Sequence, residues 1–192
     1  MEIISQKQFL AELPKYMKII KQGAVFVYPT DTVYGIGCDA THNQAVSLIR
    51  ELKERDFKPF SVIAPSKEWI RKNCEISPKY LAFEGNLPGP YTLILKILNK
   101  TAVSGAVTAG LQTIGVRMPK HWIADFVKKF ERPIVTTSVN ISGEKPITQI
   151  SEIPLEIARE VDFCIDAGKL NNFPSTIVDF TQNEISVRER KS

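Results

Sequence analysis

Apolar positions recur along this chain with two different periods. Phe9, Leu10, Leu13, Tyr16, Met17 and Ile20 follow helical spacing, so one amphipathic helix is expected to end before Gly23. The run 24–28, Ala-Val-Phe-Val-Tyr, reads as a buried strand stopped by Pro29. Residues 43–53 return to helical spacing, with Ala45, Leu48, Ile49 and Leu52 on the inner face. Short strands are expected in PFSVIAP, TIGVRMP and PIVTT, and in YTLILKI, which is entered through the stiff turn LPGP. Ser66 is placed to cap a helix beginning at Lys67, and another helix is expected around Trp122–Phe130. After Ser151 a short helical stretch precedes three late strands, VDFCID, STIVDF and EISVRER.

Strands and helices alternate early and strands cluster late, which predicts a mixed rather than a purely parallel sheet. The expected fold is α/β: a single domain over residues 1–192, with a twisted mixed β-sheet flanked by helices. No repeat, low-complexity tract or linker suggests a second domain.

Composition narrows the class without deciding it. A hydrophobic fraction of 43% and a charged fraction of 24% are those of an ordinary globular protein. A net charge of +4 suits anionic ligands or RNA and is equally common in proteins that bind neither. Cys38, Cys74 and Cys164 are far apart with no C-x-x-C pair, and His42 and His121 cannot complete a zinc site at their spacing. Reduced thiols and no resident metal are expected. The N-terminus has acids and polar residues where a signal peptide needs an apolar core, and YTLILKIL is far too short to span a bilayer. A cytoplasmic protein with no membrane partner is expected.

The stretch YPTDTVYGIGCDA, residues 28–40, crowds hydroxyls and glycines directly behind a strand. It is either an elaborate turn or the floor of a binding site. Its GIGCDA satisfies G-x-G-x-x-A, but residues 29–34 separate the strand from the first glycine, so the phosphate-binding turn of a dinucleotide fold is not formed. A P-loop is also lacking, since SGEKP has the wrong frame. Lys53 and Arg55 fall where the second helix ends, with Lys58 in the loop beyond. They converge on a ligand if Arg55 has left the helix; otherwise they form a solvated helix end favoured by the macrodipole. Arg117 lies within an apolar strand, where it either pairs with a core carboxylate or reaches a ligand carboxylate. TTSVNISG repeats the opening pattern, placing Ser138 and Asn140 after a strand, as turn residues or as ligand contacts. Two such loops, a strand arginine and a basic helix end together outline a pocket rimmed by loops. No Ser-His-Asp or Cys-His set accompanies them, so covalent catalysis is not indicated.

Taken in order, PTDTVYGIG, LKER, LPGPYTLIL, GVRMP, TSVNISG and STIVDF resemble the YrdC/TsaC family, the threonylcarbamoyl-AMP synthases. The resemblance covers nearly the whole chain, and the K-x-R plus S-x-N set is its hallmark. It implies a YrdC-like fold with a basic concave cleft. It also implies synthesis of L-threonylcarbamoyladenylate and pyrophosphate from L-threonine, bicarbonate and ATP, with Mg2+ carried by ATP. The product would pass to the downstream t6A transferase machinery, for position 37 of tRNAs that read codons beginning with A. Thr32, Arg117 and Ser138 would bind L-threonine. Lys53 and Arg55 would be catalytic and would bind ATP together with Lys58, Thr113, Asn140, Thr148 and Arg188.

This sequence departs from the family at Glu54, where glycine is usual, and at Arg188, which precedes Glu189 rather than Pro-Gly. The end at Ser192 suggests the short form of the family. An alternative is a non-catalytic protein on the same scaffold, binding tRNA or other RNA through the basic cleft. The adenylating domain of hydrogenase-maturation carbamoyltransferases shares these motifs, but in a much longer chain with cysteine pairs.

Overall fold

The computed structural model describes residues 1–54, 58–141 and 143–190. A strand that the hydrophobic pattern does not predict, β1 (Glu2–Ser5), runs straight into α1 (Gln6–Ala11) through a reciprocal capping box between Ser5 and Gln8. The single expected helix is in fact two. The chain breaks at Glu12 and restarts as α2 (Leu13–Lys21), whose first turn holds Pro14, a residue that cannot donate to the preceding turn.

β2 (Phe26–Tyr28) then turns back into β3 (Gly35–Gly37), antiparallel, with Tyr28 opposite Gly35. Helix α3 (Asn43–Leu52) ends at Lys53 as expected. Next come β4 (Ser61–Ile63) and α4 (Lys67–Asn73), the latter capped by Ser66, which accepts from Trp69 N at 3.1 Å. α5 (Pro78–Phe83), β5 (Tyr91–Lys96), α6 (Gly105–Thr108) and β6 (Thr113–Arg117) follow. The chain closes with α7 (Trp122–Phe130), β7 (Ile134–Ser138), α8 (Leu155–Glu160), β8 (Phe163–Asp166), β9 (Thr176–Asp179) and β10 (Ser186–Arg188).

The strands form one sheet in the order β1-β8-β2-β3-β7-β4-β6-β5-β9-β10. Pairing is mixed: β1 with β8, β8 with β2, β4 with β6 and β5 with β9 are parallel, and the other neighbours are antiparallel. Alternation along each strand sends side chains to two faces. Val27, Ile36, Val62, Leu93, Val116 and Val135 point to one face, under α3, α4, α5, α6 and α8. Phe26, Tyr28, Ile63, Ile134 and Phe163 point to the other, under α1, α2 and α7. Among the described residues no helix is long and apolar enough to cross a membrane.

The second face is apolar over only part of its area. Following the ladders outward from Tyr28, the same face carries Gly35, Ser138, Thr136, Ser61 and Gly115. Small polar residues there leave a hollow where the neighbouring region is filled by aromatic rings. Close approach also explains Gly37, where an added Cβ would lie 2.0 Å from the Val135 carbonyl oxygen. Gly37→Ala is expected to destabilise the fold by about 3 kcal/mol, the upper range for overpacking, read as a lowered melting midpoint. A wild-type midpoint would mean that β3 and β7 are not so close.

All three cysteines are free and buried. Burial pushes the Cys74 and Cys164 thiols up to about 12 and the Cys38 thiol well above its ordinary value. Native protein at pH 8 should therefore react with a thiol reagent on the order of a hundredfold more slowly than the urea-unfolded chain. Fast modification of any native thiol would contradict this packing.

Candidate active site

The hollow is a cavity of about 240 Å3, close to the small end of the ~300–1,000 Å3 range of ligand sites. Its walls include Thr32, Tyr34, Ser61, Gly115, Arg117 and Ser138. The stretch after β2 forms both a turn and one of these walls. Thr30 Oγ1 accepts from Thr32 N at 3.0 Å and lies 2.8 Å from the Val33 carbonyl, closing the turn on itself. Its hydroxyl is also 2.9 Å from that of Thr32. The buried Thr32 hydroxyl is thereby fixed facing β6.

Arg117 pairs with a core carboxylate, the first of its two readings, and also lines the cavity. Its Nη2 donates to Asp31 Oδ1 at 2.8 Å and to Thr32 Oγ1 at 3.2 Å. The side chains of Arg117 and Asp31 are 8% and 11% exposed, so this is a buried ion pair. Asp31 is held in turn by the Lys120 backbone N–H, 3.1 Å from Oδ2. Burial pulls the Arg117 guanidinium down from its ordinary value, and the Asp31 carboxylate acts against that. Arg117 Nε is buried with no hydrogen-bond partner among the described residues. A buried donor of this kind is costly to leave unmade.

Lys53 is not on a solvated helix end. It is 3% exposed, and its ammonium donates to Ser138 O at 2.9 Å, Asn140 O at 2.5 Å and Asn140 Oδ1 at 2.7 Å. Ser138 Oγ donates to Asn140 Oδ1 at 2.6 Å, and Asn140 Nδ2 donates to the carbonyls of Ile141 and Glu144. One buried cation therefore ties the end of α3 to the turn after β7 and fixes Ser138 at the cavity wall. The next residue, Glu54, has φ 46°, a left-handed conformation that glycine adopts without strain.

The remaining expected residues divide. Arg55 lies outside the described residues. Lys58 is exposed, and its carbonyl accepts from Arg50 Nη1 at 3.2 Å. Thr113 lies on the cavity face of β6, beyond Gly115 and outside the lining. Thr148 is turned toward Glu152, which accepts from its backbone N–H at 2.7 Å. Arg188 is exposed at the sheet edge, opposite Ile177 on the cavity face, but it does not line the cavity. Arg190 does.

Sequence reading missed Asp31, Tyr34, Thr92, Ser175 and Arg190. Asp31 was visible inside PTDT as the acid nearest the hydroxyls. Tyr34 donates from its hydroxyl to Gly168 O at 2.8 Å and accepts from Ala167 N at 3.0 Å, pinning the segment after β8 beside the cavity. The Asp39 of GIGCDA is structural: fully buried, it accepts from Thr41 and from Arg132 Nη1 at 2.9 Å.

The Sua5/YciO/YrdC family model, described as "Telomere recombination", matches residues 18–190. A Methanocaldococcus jannaschii protein, named as a candidate threonylcarbamoyl-AMP synthase, is 35% identical over 90% of this chain and 82% of its own length. The threonylcarbamoyl-AMP synthase of Pyrococcus abyssi is 33% identical over 85% of this chain and 49% of its own length. The crystal structure of P. abyssi Sua5 complexed with L-threonine matches at a TM-score of 0.80 and 31% identity, covering 90% of this chain and 52% of that one. The chain thus spans about half the length of these Pyrococcus proteins. A match over so much of its length, on the fold and cavity described above, makes this chain a member of the Sua5/YciO/YrdC family.

Proposed function

We propose that this protein is an L-threonylcarbamoyladenylate synthase, a nucleotidyltransferase that joins L-threonine, bicarbonate and ATP into threonylcarbamoyl-AMP with release of pyrophosphate. The product then serves t6A37 formation in ANN-decoding tRNAs. The observation that carries this reading is the buried Arg117, a cation that lines a cavity walled by hydroxyls. Family relatives bearing the synthase name, and one solved with L-threonine, support it.

Threonine's carboxylate would seat on Arg117, with Thr32 and Ser138 beside it. Its free amine attacks the bicarbonate carbon, water leaves, and a carbamate forms. A carbamate oxygen then attacks the ATP α-phosphorus, and the bond to pyrophosphate breaks. Such transfer is catalysed by positioning and charge stabilisation and needs no covalent nucleophile. Arg55, Lys58 and Arg188 would supply charge to a basic cleft around the phosphates, with Thr113, Asn140 and Thr148 as further nucleotide contacts and Mg2+ arriving on ATP. Lys53 would act through the Ser138–Asn140 turn that it holds.

RNA phosphates require cations alone, whereas this cavity adds a buried, amino-acid-sized anion seat, which places the RNA-binding alternative second. Calorimetric titration separates them. L-Threonine should bind the nucleotide-free protein and L-threoninol, which lacks the carboxylate, should not. Equal binding of the two, or of neither, would count against the carboxylate seat.

A further inference from the structure

We propose, on the basis of the synthase reading above, that Arg190 binds the phosphate end of the adenylate and sets the second anionic pole of the cavity. Arg190 lines the cavity, and the residue is exposed, so a phosphate can approach it from solvent. It is also well placed. Its Nε donates to Ser175 O at 2.9 Å and its Nη2 to Ser175 Oγ at 2.8 Å. Ser175 is itself 1% exposed, and its hydroxyl lies 2.7 Å from that of buried Thr92. A guanidinium gripped at two nitrogens has a fixed plane, which is what oriented recognition of a phosphate needs.

The sheet register sets the distance between the poles. Thr92 pairs with Ile177 on β9, and in the β5–β6 ladder it is the next residue beyond the Leu93–Val116 pair, beside Arg117. Arg117 on β6 and the start of β9, where Ser175 holds Arg190, are therefore two strand spacings apart, on the order of 10 Å at the Cα atoms. The polar side chains between them are Thr92 and Ser175, both lining the cavity. Threonylcarbamoyl-AMP is itself a molecule with a carboxylate at one end and a phosphate a few bonds away. A cavity with one buried and one exposed guanidinium fits that charge pattern. Threonine alone would occupy the Arg117 pole.

The test compares wild type, Arg190→Gln and Arg190→Lys, with thermal melts to verify folding. Binding of L-threonine, AMP and inorganic pyrophosphate is measured separately, together with the KM for ATP in product formation. Arg190→Gln should weaken AMP binding and raise the KM for ATP about ten- to hundredfold, the range of one charge-assisted hydrogen bond, with threonine binding unchanged. Arg190→Lys should recover part of the loss, because charge remains but the fork is gone. If Arg190→Gln leaves AMP affinity and the KM for ATP within twofold of wild type, the assignment is wrong while the synthase reading stands. If it weakens threonine and AMP equally, Arg190 shapes the cavity and marks no phosphate pole. If wild type makes no adenylate, the synthase reading itself fails, and the AMP titration still reports on Arg190.

Discussion

Arg117→Ala should raise the KM for threonine by at least about a hundredfold, since it removes a charged hydrogen-bonding group from a desolvated carboxylate seat. The KM for ATP should change little. The same substitution also strands the Asp31 carboxylate, whose side chain is 11% exposed, with the Lys120 backbone N–H as the remaining donor to it among the described residues. Breaking a buried pair on one side costs about 3–5 kcal/mol, so the single variant should also melt early. Loss of activity from Arg117→Ala alone would therefore be ambiguous. Arg117→Met combined with Asp31→Asn removes both charges and should recover most of the stability while threonine use stays lost. If the double variant regained threonine use, Arg117 would be a structural cation and the carboxylate seat would lie elsewhere.

Lys53→Met should cost about 3 kcal/mol, because it takes the ammonium donor from the carbonyls of Ser138 and Asn140 and leaves the Asn140 amide oxygen with Ser138 Oγ. For a chain of 192 residues that corresponds to a fall of roughly 10 °C in melting midpoint. Activity should fall further than stability explains, since the turn that Lys53 holds carries Ser138 to the cavity wall. The distinguishing signature is coupling. Asn140→Ala already removes the amide acceptor, so Lys53→Met should cost less in that background than in wild type. Simple additivity of the two losses would show that Lys53 does not act through the turn.

Much of this architecture was legible because burial imposes period on sequence. The strands from β4 to β10 and the helices α3, α4 and α7 announce themselves by apolar spacing and by caps such as Ser66. What was not legible depends on partners. β3 is Gly-Ile-Gly, a poor strand by composition, and it is extended because β2 and β7 pair with it from both sides. β1 exists through parallel pairing with β8, more than 150 positions along the chain. α5 and α6 are too short for a period to show. The break between α1 and α2 was readable in principle, since Pro14 interrupts the apolar pattern.

In the site, residue types showed what could bind but not which groups meet. Sequence spacing put Lys53 at a helix end, and only the β7 turn folding against it shows that its ammonium is buried. Arg188 and Arg190 lie two positions apart on one edge, and their different reach into the cavity follows from the grip of Ser175 on Arg190.

The central claim is best tested by mass spectrometry of the reaction of purified protein with Mg-ATP, L-threonine and bicarbonate, each omitted in turn, with pyrophosphate followed in parallel. The account predicts a threonylcarbamoyl-AMP peak and matching pyrophosphate that vanish when any one component is left out. Folded protein that binds L-threonine yet yields neither product with all components present would contradict it.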